Sequence, residues 1–143
     1  AIGITLDMQL VDFATYVGIF YSDLPPEERP HLFPGFNQPD YNDAWNHLWP
    51  QLSCAAWQAG NAGCYCDPQV EELLKQARTA VDATSYQAAL SAIQQIVTRE
   101  NPAAIYYAET QWLTALRRDI GGFAPDLVDS ELVDFSALYR RPA

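Results

Sequence analysis

Positive charge is scarce in this sequence: 8 Lys and Arg stand against 18 Asp and Glu, a formal net charge of -10. The basic residues that are present form no patch, since Arg117-Arg118 and Arg140-Arg141 are isolated pairs. A chain of this kind repels nucleic acid and anionic membrane surfaces, because nothing clusters to neutralise phosphates. Long apolar runs are also lacking, and none approaches the ~20 residues needed to cross a bilayer. No internal repeat and no low-complexity tract is found. Neither an activated-nucleophile motif nor a cofactor fingerprint is present, and His31 and His47 are the only histidines.

What the sequence has is the composition of a globular domain, 49% hydrophobic and 13% aromatic over 143 residues. A chain of that size suits one domain, which can bury roughly 68–70% of the unfolded surface. It begins Ala1-Ile2-Gly3-Ile4, already strand-like and without an initiator Met, so a longer parent protein is expected.

The three cysteines, Cys54, Cys64 and Cys66, fall close together around a Gly- and Asn-containing loop. A disulfide from Cys54 to Cys64, or alternatively to Cys66, would close that loop and fits an exported protein. Free buried thiols are a second reading. A zinc site combining these thiolates with His47 is a third, disfavoured because Cys64-Tyr65-Cys66 lacks the C-x₂₋₄-C spacing of structural zinc sites. No metal and no cofactor is expected.

Periodicity orders the rest. Ile4, Leu6, Met8 and Leu10 alternate with polar residues, the period of a strand. Phe13, Tyr16, Val17 and Phe20 then follow the helical period behind a plausible N-cap, Asp12, until Pro25-Pro26. A second strand is expected at 32–36, made short or irregular by Pro34. Asp43 can cap a helix carrying Ala44, Trp45, Leu48 and Trp49, which Pro50 limits. Asp67-Pro68 is a strong helix start, with an apolar stripe of Val70, Leu73, Leu74, Ala77 and Val81. A second long helix is expected from about Thr84 or Ser85 to Asn101-Pro102, antiparallel to the first. Buried strands are expected at 103–108 and 113–120, a connector at 109–112, and a loop-rich tail with a short element around 133–139. This interleaving reads as α/β, but it does not close a doubly wound sheet.

The stretch Pro39-Asp40-Tyr41-Asn42-Asp43-Ala44-Trp45-Asn46-His47-Leu48-Trp49 concentrates carboxylates, carboxamides, a phenol, an imidazole and two indoles. A turn entering a helix N-terminus presents side-chain and backbone groups together, as open α/β folds do at ligand sites. The plainer reading is that Asp40 builds the turn, Asp43 caps the helix and both Trp residues fill the core.

Five motifs in order resemble bacterial family 5 extracellular solute-binding proteins, the peptide and nickel class that serves ABC importers. They are Gly3-Ile4-Thr5-Leu6-Asp7-Met8, Asp12-Phe13-Ala14-Thr15-Tyr16, Asp40-Tyr41-Asn42-Asp43-Ala44-Trp45-Asn46, Asp67-Pro68-Gln69-Val70-Glu71-Glu72-Leu73-Leu74, and Ile120-Gly121-Gly122-Phe123 with Asp134-Phe135-Ser136-Ala137-Leu138-Tyr139. The family's G-W-G before the acidic turn is replaced by Gly35-Phe36-Asn37-Gln38, and Ala44 stands at the usual Pro.

The resemblance implies the C-terminal lobe of a periplasmic-binding-protein type II-like fold, a small mixed sheet with flanking helices. Residues 1–143 would be one α/β unit forming most of the second lobe, with about 121–143 a tail crossing back to a first lobe. It implies a substrate-binding component of an importer, periplasmic or cell-surface, that captures di- or oligopeptides and docks on permease subunits. Asp40 matches the acidic residue that holds a peptide's α-amino group, with Tyr41, Asn42 and Trp45 beside it. Family members of the dipeptide type also carry two cysteines around this loop. A nickel or metal-chelate carrier of the same family is the alternative, and a hydrolase built on Asp40, Asp43 and His47 a more distant one. Apolar surface that another lobe would cover is expected to promote self-association without physiological meaning.

Overall fold

The computed structural model describes residues 3–35, 39–57, 59–107, 113–125 and 133–141. Its centre is a set of three helices. Helix α1 (Phe13–Phe20) lies outside this set; α2 (Ala44–Leu52), α3 (Pro68–Thr79) and α4 (Ala83–Gln95) form it, and α4 continues into a π turn (Ile96–Glu100). Each α-helix among the described residues starts at an aspartate whose carboxylate accepts from orphan backbone amides: Asp12 from Thr15, Asp43 from Trp45, Asp67 from Gln69 and Val70, and Asp82 from Ser85. The cap of α4 is Asp82, so that helix begins just before the expected Thr84 or Ser85. Pro50 sits inside the last turn of α2 rather than ending it. Lacking an N–H, Pro50 leaves the helix one bond short there, and Leu52 is still reached.

The core follows from the helical stripes. Leu52, Val70, Leu74, Ile93, Ile96 and Val97 form one buried cluster, with Trp45, Leu48, Trp49, Tyr65, Leu73 and Ala103 packed on its edges. Ala77, Ala89 and Leu90 form a smaller one, to which Tyr86 adds its ring. The small alanines bring α3 and α4 close together. Val81, expected on the stripe, is instead 97% exposed, because α3 ends at Thr79 and the chain turns at 80–82.

The cysteine loop packs beside this block. The disulfide joins Cys54 to Cys66, with Cα atoms 4.7 Å apart, and corrects the first expectation of Cys64. Cys64 keeps a free thiol. Its backbone occupies the left-handed region at φ 54, in a turn where its sulfur lies 3.9 Å from the Ala62 carbonyl oxygen. Buried Asn61 organises the loop: its amide donates to the Ser53 and Tyr65 carbonyls and accepts from the Tyr65 N–H. Gly60, at φ 138, is needed where the loop folds back, since a Cβ there would lie 2.8 Å from the Pro50 carbonyl oxygen.

Outside the block the expectations of strand fail. Residues 3–10 are exposed throughout and pair with no described strand, and Leu10 is 98% exposed. The described part of the second expected strand, 32–35, is irregular, and 103–107 forms no strand, leaving Tyr107 85% exposed rather than buried. Of 113–120 only the end pairs: β1 (Ile120–Gly121) meets β2 (Tyr139–Arg140) antiparallel, in the register Ile120 to Arg140 and Gly121 to Tyr139. The physical reason is common to all. A strand completes its hydrogen bonds only on a neighbouring strand, and apart from the pairing at Ile120 no described segment pairs with these. The expected connector at 109–112 lies outside the described residues. The described residues therefore form a helix-rich unit with one two-stranded sheet.

Two tail glycines make the small sheet possible. A Cβ on Gly121 would collide with the Tyr139 ring, and one on Gly122, at φ 81, with the Ala137 carbonyl oxygen. Among the described residues one buried cation ties the segment that follows α1 to the rest. Arg29 donates to the carbonyls of Ser22, Leu24 and Ala62 and lies 5.9 Å from the Trp57 ring centre, bridging the segment after α1 and the cysteine loop. Among the described residues no helix is long and apolar enough to cross a membrane.

Candidate functional site

The turn that enters α2 is built from inside the molecule. Pro39 is buried and Asp43 N–H bonds the Tyr41 carbonyl at 2.9 Å, which folds 41–43 tightly. Buried Asn46, on the first turn of α2, faces back into this loop. With its amide oxygen turned to the loop it accepts from the N–H groups of Asp40 at 2.7 Å and Tyr41 at 3.1 Å. A short loop gains definition when a buried side chain satisfies its amides, since each would otherwise need water.

The second clamp comes from α4. The Tyr86 hydroxyl donates to Asp43 Oδ1 at 2.7 Å and accepts from the Trp45 N–H at 3.1 Å, while the same N–H donates to Asp43 Oδ1 at 2.8 Å. Burial and then the bond to the Asp43 carboxylate raise the Tyr86 phenol above its ordinary value. Asp43 Oδ1 thus serves both as helix cap and as partner of Tyr86.

Asp40, Tyr41 and Asn42 stand outside these clamps and are exposed. Among the described residues the Asp40 carboxylate has neither a hydrogen bond nor an ion pair. The loop presents one free carboxylate beside a phenol and a carboxamide, a set suited to a cationic group with further hydrogen-bond donors and acceptors. Trp45 is placed differently from those three. Its indole Nε1 donates to the Leu74 carbonyl at 3.1 Å, its ring stacks on Trp49 with centres 5.6 Å apart, and the Arg78 guanidinium lies 5.8 Å from its centre. The half-buried indole links α2 to α3. His47 is exposed one turn into α2, its N–H on the Asp43 carbonyl.

Sequence reasoning missed Tyr86, which is distant along the chain and read as one apolar position of a helical stripe. Asn46 was in view within the cluster, but its role inside the loop was not. Among the described residues no group of three or more His, Cys, Asp or Glu could hold a metal ion. A shallow polar hollow of about 310 Å³ lies elsewhere, on α4 and the π turn, lined by Ser91, Gln94, Gln95, Thr98 and Arg99. Comparison with protein-family models, with curated proteins and with solved structures returns no match for this chain.

Proposed function

We propose that this chain is most of the second lobe of a two-lobed, type II-like solute-binding protein that captures peptides outside the cytoplasm and delivers them to an ABC importer. In this reading Asp40 holds the peptide's α-ammonium, Tyr41 and Asn42 contact the first residue, and no bond is made or broken. The observation that carries it is the contrast between two neighbouring carboxylates: Asp43 is engaged by Trp45 and Tyr86, whereas Asp40 is exposed and unpaired on a loop fixed from beneath. A carboxylate of that kind costs nothing to desolvate until a cation arrives. Closure of a second lobe over it then makes the charge-assisted bond stronger than it would be in water. The acidic balance of the whole chain, -10, favours a ligand with a positive end over an anionic one.

The test is calorimetry on the natural parent protein with an equimolar mixture of di- and tripeptides, and with the same mixture acetylated at the amino terminus. Binding of the free peptides is expected, and acetylation should weaken it. Asp40→Asn should weaken binding of the free peptides by about 2–5 kcal/mol, as when one partner of a buried charge pair is removed. It should leave the acetylated mixture almost unaffected. Equal affinity for free and acetylated peptides, or an Asp40→Asn protein that binds as well as the unmodified one, overturns the reading.

A further inference from the structure

We infer that Tyr86 is the positioning residue of the ligand loop, tying the backbone that carries Asp40 to the α3–α4 pair; this rests on the reading of Asp40 given above. Asp40 lies on a turn with no regular structure, and a carboxylate selects an ammonium only if its position is fixed before the ligand comes. Two side chains fix that turn. Asn46 does so locally, from the helix the turn leads into. Tyr86 does so from a distant part of the chain, 43 positions from Asp43.

The phenol is saturated, donating to Asp43 Oδ1 and accepting from the Trp45 N–H. Its ring is packed against the Ala77, Ala89 and Leu90 cluster, where α3 and α4 meet. The hydroxyl therefore connects the turn that carries Asp40 to the α3–α4 pair. Asp43 would still cap α2 without it, because the Trp45 N–H bonds Asp43 Oδ1 directly. Loss of the hydroxyl should consequently loosen the turn while leaving the helix in place.

Tyr86→Phe keeps the ring and removes only the hydroxyl. Amide hydrogen exchange is measured on this chain without ligand, and peptide affinity and dissociation rate on the parent protein with the same free di- and tripeptide mixture. Exchange at the amides of Asp40, Tyr41 and Asp43 should speed up about tenfold, the loss expected for one hydrogen bond to a charged group. The amides of α3 should be unchanged. Peptide affinity should fall about tenfold, mainly through faster dissociation, and Asp40→Asn combined with Tyr86→Phe should lose less than the sum of the two, as coupled residues do.

Unchanged exchange in the loop overturns the inference. So does faster exchange spread evenly over α3 and α4, which would mean that the hydroxyl is only a general stabiliser. Faster loop exchange with undiminished peptide affinity overturns it too, because the brace would then not serve binding. Absence of peptide binding in the unmodified protein overturns the reading of Asp40 and the positioning role with it, while the exchange measurement, which needs no peptide, still shows whether Tyr86 braces the turn. Should Tyr86→Phe fail to fold, Asn46→Ala, which removes the other clamp, is judged by the same measurements: an unloosened turn would show that clamping from beneath does not set the loop.

Discussion

The helical block from α2 to the π turn and the segment at 3–10 are both rich in apolar residues at regular spacing, yet they meet opposite fates. All the buried hydrophobic residues described, except Phe20, lie between Leu52 and Val97. In the segment at 3–10, Ile4, Leu6, Met8 and Leu10 are all exposed. The difference lies in how each element satisfies its backbone. A helix closes its hydrogen bonds within a few residues and needs other elements only to cover its apolar stripe, which α2, α3 and α4 do for one another. A strand needs a neighbour both for its bonds and for its apolar face. Periodicity announces which face wants cover; it does not supply the cover.

The sharpest way to break this comparison is truncation in each region. Ile93→Ala, at a fully buried position of α4, should destabilise the chain by about 2–5 kcal/mol through lost burial and a residual cavity. Leu10→Ala, at a position 98% exposed, should stay within about 0.5 kcal/mol. Urea denaturation followed by circular dichroism reads both. A large loss at Leu10 would show that the segment at 3–10 is covered in solution.

The disulfide is the next largest expected effect, because it binds the cysteine loop to the block. Replacing Cys54 and Cys66 together by Ser should cost about 3 kcal/mol in the loop-entropy description, for a bridge spanning 12 positions. Intact mass after alkylation without reductant should show one modified thiol, assigned to Cys64 by peptide mapping. Modification at Cys66 instead would mean that Cys54 pairs with Cys64 after all.

Within the loop, the two aspartates sharpen the comparison at a smaller scale. Asp43→Ala should lower stability by about 1 kcal/mol through loss of the cap. Asp40→Asn should leave the melting temperature essentially unchanged, since no described residue depends on that carboxylate. The opposite pattern in thermal melts would exchange the two roles.

The mildest effect concerns acid. Asp67 is held below the ordinary aspartate value of 3.8, first by the Asn101 side-chain amide and then by the Val70 N–H. Asp82 is held below it by the Ser85 N–H and hydroxyl. A carboxyl lowered in the folded state contributes stability that is present above the ordinary value and lost as pH falls through the lowered one. Stability of the block should therefore decline as pH drops below about 4. Asp67→Asn, which keeps an acceptor at the cap, should flatten that decline in acid titrations followed by circular dichroism. An unaltered profile would remove Asp67 from the account of acid sensitivity.

Much of the helical frame was legible in the residues because its signals are local. The caps at Asp12, Asp43 and Asp67 each act on amides two or three positions on, and the proline after Asp67 fixes the start of α3. The stripes of α3 and α4 were legible for the same reason. The candidate loop was legible as a concentration of polar and aromatic residues, but not its internal organisation. That Trp45 turns inward to the Leu74 carbonyl, and that Asp43 rather than Asp40 is engaged, depend on which helices lie beneath the loop.

By itself, then, the sequence determined the net charge of -10, the helix starts, the apolar faces of α3 and α4, and the cluster at 39–49. Each of these is written in residues within a turn or two of one another. Only the tertiary structure decided that Cys66 and not Cys64 pairs with Cys54, that Arg29 ties α1 to the cysteine loop, that the glycines at 121 and 122 admit Tyr139, and that Tyr86 reaches Asp43. These are contacts between segments far apart along the chain, or choices between near neighbours that depend on where the backbone turns. Local spacing carries no record of them, because they exist only once the helices have packed.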